Sequence, residues 1–174
     1  MKNLSYLLIS LFVITVASNA YAQGDKSKRP SPPMTASGQV GDLKIEINYG
    51  APSVKGRKIY GSLEPYGKVW RTGANEATTF SVNKDVTING EVLPAGKYAL
   101  FTIPTEGEWT IIFNKNPNQW GAYSYNKEED ALRIQVKPSK SDKLQEQLMF
   151  KVKDDGNVHF KWEYQSFAFT VKGK

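Results

Sequence analysis

From Gln39 onward, apolar and polar residues alternate with a period of two. Leu43, Ile45, Ile47 and Tyr49 are interleaved with Lys44, Glu46 and Asn48, the pattern of a strand with one buried and one wet face. The same alternation returns in Leu132, Ile134 and Val136, in Leu148, Phe150 and Val152, in Val158, Phe160, Trp162 and Tyr164, and in Phe167, Phe169 and Val171. Tyr98 to Ile103 and Trp109 to Phe113 are continuously apolar, which suits strands covered on both faces. Asn89-Gly90, between Val86-Thr87-Ile88 and Glu91-Val92-Leu93, predicts a hairpin, because a type I′ turn needs positive φ at both central residues. Asp154-Asp155-Gly156-Asn157 predicts a second connection of this kind. Two stretches invite a helix, Lys127 to Leu132 and Ser141 to Leu148; the second keeps a period of two through Val152 and reads as a strand. The expectation is an all-β chain: a single β-sandwich or jelly-roll-like domain over residues 39–174, with roughly ten short antiparallel strands and little helix.

The first 38 residues break this pattern. Lys2 precedes an almost wholly apolar run from Leu4 to Val16, and Ala20-Tyr21-Ala22 gives a small-x-small cleavage pattern, so residues 1–22 predict a cleavable signal peptide and export to the periplasm or beyond. No membrane-spanning segment is expected after cleavage at Ala22. Residues 23–38, rich in Lys, Pro and Ser, read as a flexible tether. The chain contains no cysteine, which excludes structural disulfides and lipid attachment at a cysteine after the cleavage site. The net charge of +6 would suggest a nucleic-acid partner inside a cell; export removes that expectation.

Catalytic motifs are mostly eliminated. One histidine and no cysteine leave no Cys-His pair and no zinc cluster, and His159 falls on the polar phase of its strand as an exposed, inert residue. Gly61 to Lys68 has the wrong glycine spacing for a phosphate loop, and Val69 stands where Ser or Thr is required. No cofactor is expected.

The segment Lys55 to Phe80 differs from the strands around it. Cations (Lys55, Arg57, Lys58, Lys68, Arg71) interleave with Tyr60, Tyr66 and Trp70, and Gly56, Gly61, Gly67 and Gly73 allow tight backbone paths. Two readings stand side by side. As a binding loop, Arg57, Lys58 and Arg71 attract an anion, Arg71 grips it bidentately, Asn75 and Glu76 bond hydroxyls, and Tyr66 and Trp70 stack on a ring. As a structural brace, Arg71 satisfies loop carbonyls, Trp70 is core and Asn75 stabilises a turn. A second aromatic group, Trp120, Tyr123 and Tyr125, follows the turn Asn114 to Gln119; folded beside Trp70, it would complete an aromatic cleft.

APSVKGRKIYGSLEPYGKVWRTGANEAT (51–78), LPAGKYALFTIP (93–104), EWTIIFNK (108–115) and QWGAY (119–123) closely resemble a family of small exported bacterial proteins known as domain-of-unknown-function family 2911. The resemblance implies an exported β-rich domain and carries over no catalytic residue. The functional expectation is a binding module for a glycan or small anion, using the loop Lys55 to Thr79. The alternatives are an envelope interaction or structural domain, and a hydrolase acting through Glu76 or Asp130.

Overall fold

The computed structural model describes residues 25–174, so the expected signal peptide lies outside the described residues. Ten strands are present among them: β1 (Pro33–Val40), β2 (Leu43–Gly50), β3 (Thr79–Val82), β4 (Val86–Ile88), β5 (Glu91–Leu93), β6 (Gly96–Ile103), β7 (Trp109–Asn114), β8 (Asp130–Val136), β9 (Ser139–Val152) and β10 (Asn157–Gly173). They form two antiparallel sheets, one in the order β1-β2-β3-β6-β7-β8 and the other β5-β4-β10-β9. The alternating residues do what their period requires. Ile45, Ile47, Phe80, Leu100 and Phe113 from the first sheet meet Ile88, Phe160, Trp162 and Phe169 from the second, all buried in one core. Each such side chain contributes about 1.5–3 kcal/mol by leaving water.

The Asn89-Gly90 turn has the expected geometry, with φ of 51° and 98°. The asparagine side chain then accepts the Thr170 amide at 2.8 Å, tying the hairpin to β10. The two apolar patterns at Val158 and Phe167 belong to one strand, not two. Around Glu163, whose φ is 55°, the register of β10 against β9 shifts, and this bulge bends the strand without ending it. Ser141 to Leu148 lies within β9. Lys127–Glu129 forms only a single 3₁₀ turn, capped by Asn126, before β8 begins at Asp130.

The expected tether needs correction. Residues 33–38 belong to β1, which pairs along its length with β2, and residues 25–32 fold back onto the domain through a 3₁₀ turn at Lys26–Lys28 and the bond from the Ala51 amide to the Pro32 carbonyl, 2.9 Å. β1 is an edge strand that buries only Ala36, so it needs little apolar content and tolerates Pro33 at its start.

Between β2 and β3 the chain spans both sheets. Ser53 bridges to Gln147 of β9, and Trp70 bridges to Thr102 of β6. This crossing delivers Ile59, Tyr60 and Trp70 into the main core. A smaller cluster lies apart from it: Ala77, Ala99, Phe101 and Ile112 are buried together, with Val69, Ala122 and Tyr125 packed against them. Phe101 and Ile112 alternate with the inward-facing Leu100 and Phe113, so this cluster covers the outer face of the six-stranded sheet.

Candidate functional site

The loops on that outer face are locked to each other by backbone. Glu76 and Trp120 form an antiparallel bridge, with the Ala77 amide on the Gln119 carbonyl (3.0 Å) and the Gly121 amide on the Asn75 carbonyl (3.1 Å). Asn75 has φ of 66° and donates from its side-chain amide to the Ser31 carbonyl at 3.0 Å. Close approach at Gly50 makes the crossing possible, since an added Cβ there would overlap the Ala74 carbonyl oxygen.

The sequence-selected residues divide into three groups. Arg57, Arg71, Asn75 and Trp120 line one cleft of about 280 Å³, together with Leu63, Glu64 and Trp162. Asn75 and Trp120 also line a larger groove of about 730 Å³, which adds Glu76 and runs past Lys26, Arg29 and Met34. The remaining four, Lys58, Tyr66, Trp70 and Tyr123, join neither space. Tyr66 opens on a separate depression beside Thr105, Lys137 and Lys140. Lys58 is exposed, and Tyr123 is 82% exposed with Arg71 over its ring at 5.7 Å.

Trp70 is a core residue. It is 4% exposed, stacks on Trp162 with centroids 5.6 Å apart, and donates its indole N–H to the Gly73 carbonyl at 3.2 Å. The Trp120 turn pairs by backbone with residues 75–77. Trp120 is the available platform, 53% exposed, with the Arg29 guanidinium 5.9 Å from its ring centre.

Both arginines brace and remain partly free. Arg57 donates Nε to the Val54 carbonyl (3.0 Å) and Nη2 to the Ser53 carbonyl (2.6 Å), while Arg71 donates Nη1 to the Asn75 carbonyl (2.6 Å). A guanidinium has five N–H donors, so each keeps donors for an anion after fixing its own loop. Gly121, with φ of 66°, presses against the Arg71 guanidinium; a Cβ there would sit 3.0 Å from its central carbon.

Sequence reading missed two members of this cleft. Glu64 is half-buried, and burial holds its carboxyl up at about 7 against the opposing pull of Arg71 and Arg57. A glutamate between Leu63 and Pro65, inside a cationic segment, was the available signal. Trp162 lines the cleft although only 1% exposed, and its indole N–H finds no acceptor in the protein.

The candidate hydrolase carboxylates are both engaged. Glu76 meets Lys26 at 3.1 Å and Arg29 at 2.9 Å; burial raises its pKa, but its own backbone and these two cations outweigh that and lower it overall. Asp130 accepts from Asn114, Tyr125 and Arg133, and lines neither space. His159 is half-buried instead of exposed, with an unpartnered Nε2. Among the described residues no three His, Asp or Glu side chains gather as metal ligands, and no helix is long and apolar enough to cross a membrane.

Two antiparallel sheets packed as a β-sandwich define the class of this protein. The chain belongs to the family described as Protein of unknown function (DUF2911), whose model matches residues 31–171. Comparison with curated proteins and with solved structures finds no match.

Proposed function

We propose that this protein is an exported glycan-binding module whose cleft takes a carboxylate-bearing sugar. The observation that carries the reading is convergence: Arg57, Arg71 and Asn75 of one loop and Trp120 of another, distant in sequence, line one space. The pieces match the two halves of a uronic acid. Spare guanidinium donors suit the carboxylate, and the exposed indole of Trp120 suits the apolar face of a sugar ring. Export is the second part of the proposal and rests on the Lys2, Leu4 to Val16 and Ala20-Tyr21-Ala22 pattern.

Titration calorimetry of the purified protein with galacturonate, glucuronate and mannuronate tests the reading. At least one is expected to bind, with affinity falling about tenfold or more in Trp120→Ala and in Arg71→Lys, which keeps the charge but loses the planar fork. Binding of none, or binding unaffected by both substitutions, would overturn it.

A further inference from the structure

The groove on the other side of Trp120 holds polar groups that the cleft does not use. Its floor is the outer face of the six-stranded sheet, where register aligns Thr35, Asn48 and Thr79 across β1, β2 and β3. Thr35 donates its hydroxyl to Asn48 Oδ1 at 2.6 Å. Thr79 is only 8% exposed, yet its hydroxyl has no partner, and neither does the buried Oε1 of Gln119, which lines the same groove. Buried polar atoms are normally paired, so two orphan atoms just beneath the surface, on residues that line one groove, are suited to a hydroxyl-rich occupant. Lys97 lines the same groove and enters none of the ion pairs among the described residues, whereas Lys26 and Arg29 are held by Glu76.

Size points the same way. Small-molecule sites run to about 300–1,000 Å³, so the cleft of about 280 Å³ is marginal alone while the adjoining groove of about 730 Å³ is not. Trp120 and Asn75 belong to both, and a ligand crossing the indole edge reaches one space from the other.

We infer that the two spaces are consecutive subsites for one acidic oligosaccharide: a uronate sits at Arg57 and Arg71, and the following units pass Trp120 to meet Thr79, Gln119 and Lys97. This inference rests on the proposed uronate site. Its distinguishing property is length dependence, because the groove contributes nothing to a monosaccharide held in the cleft.

Calorimetric titration of the purified protein with monosaccharides and tetrasaccharides of galacturonate, mannuronate and a glucuronate-containing glycan separates the two claims. The tetramer of the preferred sugar is expected to bind at least tenfold more tightly than its monomer. Thr79→Val, which keeps the shape and removes the hydroxyl, and Lys97→Gln are each expected to weaken the tetramer three- to tenfold and leave the monomer unchanged. Lys97 is exposed, so that variant remains informative even where Thr79→Val shifts the melting temperature. Equal affinity for monomer and tetramer, or losses equal for both, would overturn the subsite arrangement alone. Failure of every monomer to bind would overturn it together with the uronate site, whether or not a tetramer binds.

Discussion

Trp70 and Trp120 look alike in sequence and end in opposite places. Each stands outside the long strands, among Gly, Asn and Lys residues, and each is fixed by a single isolated bridge. Trp70 bridges to Thr102 of β6, and its ring falls between the sheets onto Trp162. Trp120 bridges to Glu76, a loop residue that itself lies over the outer face of the six-stranded sheet, and its ring stays half in water. Composition around an aromatic residue therefore does not decide its role; the location of its backbone partner does.

The most severe way to break this contrast is Trp70→Ala. The ring touches Tyr60, Phe160 and Trp162, with centroid distances of 6.2, 6.1 and 5.6 Å, so its removal leaves a cavity among aromatics that are themselves buried. A loss of about 3–5 kcal/mol is expected from urea denaturation. A loss under about 1 kcal/mol would mean that the crossing segment is not anchored by its tryptophan.

Glu64 tests the cleft where the buried region meets the open one. In the unfolded chain its carboxyl titrates near 4.5, and in the folded protein near 7. Between those values the folded state holds more protons than the unfolded state, so its contribution to stability is whole below about pH 4.5, falls as pH rises through about 7, and is flat above. The loss is about 2 kcal/mol, less than the full shift implies because Glu64 is partly exposed. Glu64→Gln is expected to remove this slope and to melt higher than the parent at pH 8. A parent slope that survives unchanged in the variant would place the titrating group elsewhere. Ionised Glu64 also repels a carboxylate held by Arg57 and Arg71, so uronate affinity in the parent should rise between pH 8 and pH 6.

Much of the sandwich was legible because a period of two is a local property, and Asn89-Gly90 carries its own turn geometry. The register of β10 across Glu163 was not, because a bulge depends on what the strand must reach: here Glu163 accepts the Ile59 amide at 3.2 Å. Residues 33–38 of β1 carry no strand signal because an edge strand exposes most of its residues and needs no hydrophobic face. For the site, residue types were informative and partners were not. Arg71, Asn75 and Trp120 come together through the 75–77 and 119–121 bridge, a contact between distant segments without a sequence signature. Tyr66 diverges because the Gly67 amide is held by the Pro104 carbonyl at 2.8 Å, on the way to a different depression.

The smallest expected effect is the one that sharpens the contrast most. Trp120→Ala removes a ring as large as that of Trp70, so size alone would predict a comparable loss. Its ring is already half in water, and its packing partner Arg29 keeps an independent anchor at Glu76, 2.9 Å away. The backbone bonds at Gln119 and Gly121 that hold the turn do not involve the side chain. What remains to be lost is an exposed cation–π contact, worth about 0.5–1 kcal/mol. Urea denaturation should therefore show a loss of no more than about 1 kcal/mol for Trp120→Ala, several-fold below that of Trp70→Ala. A loss above about 2 kcal/mol would make the ring a brace, and any ligand affinity lost with it would then report on the fold of the loops instead of on contact with a sugar.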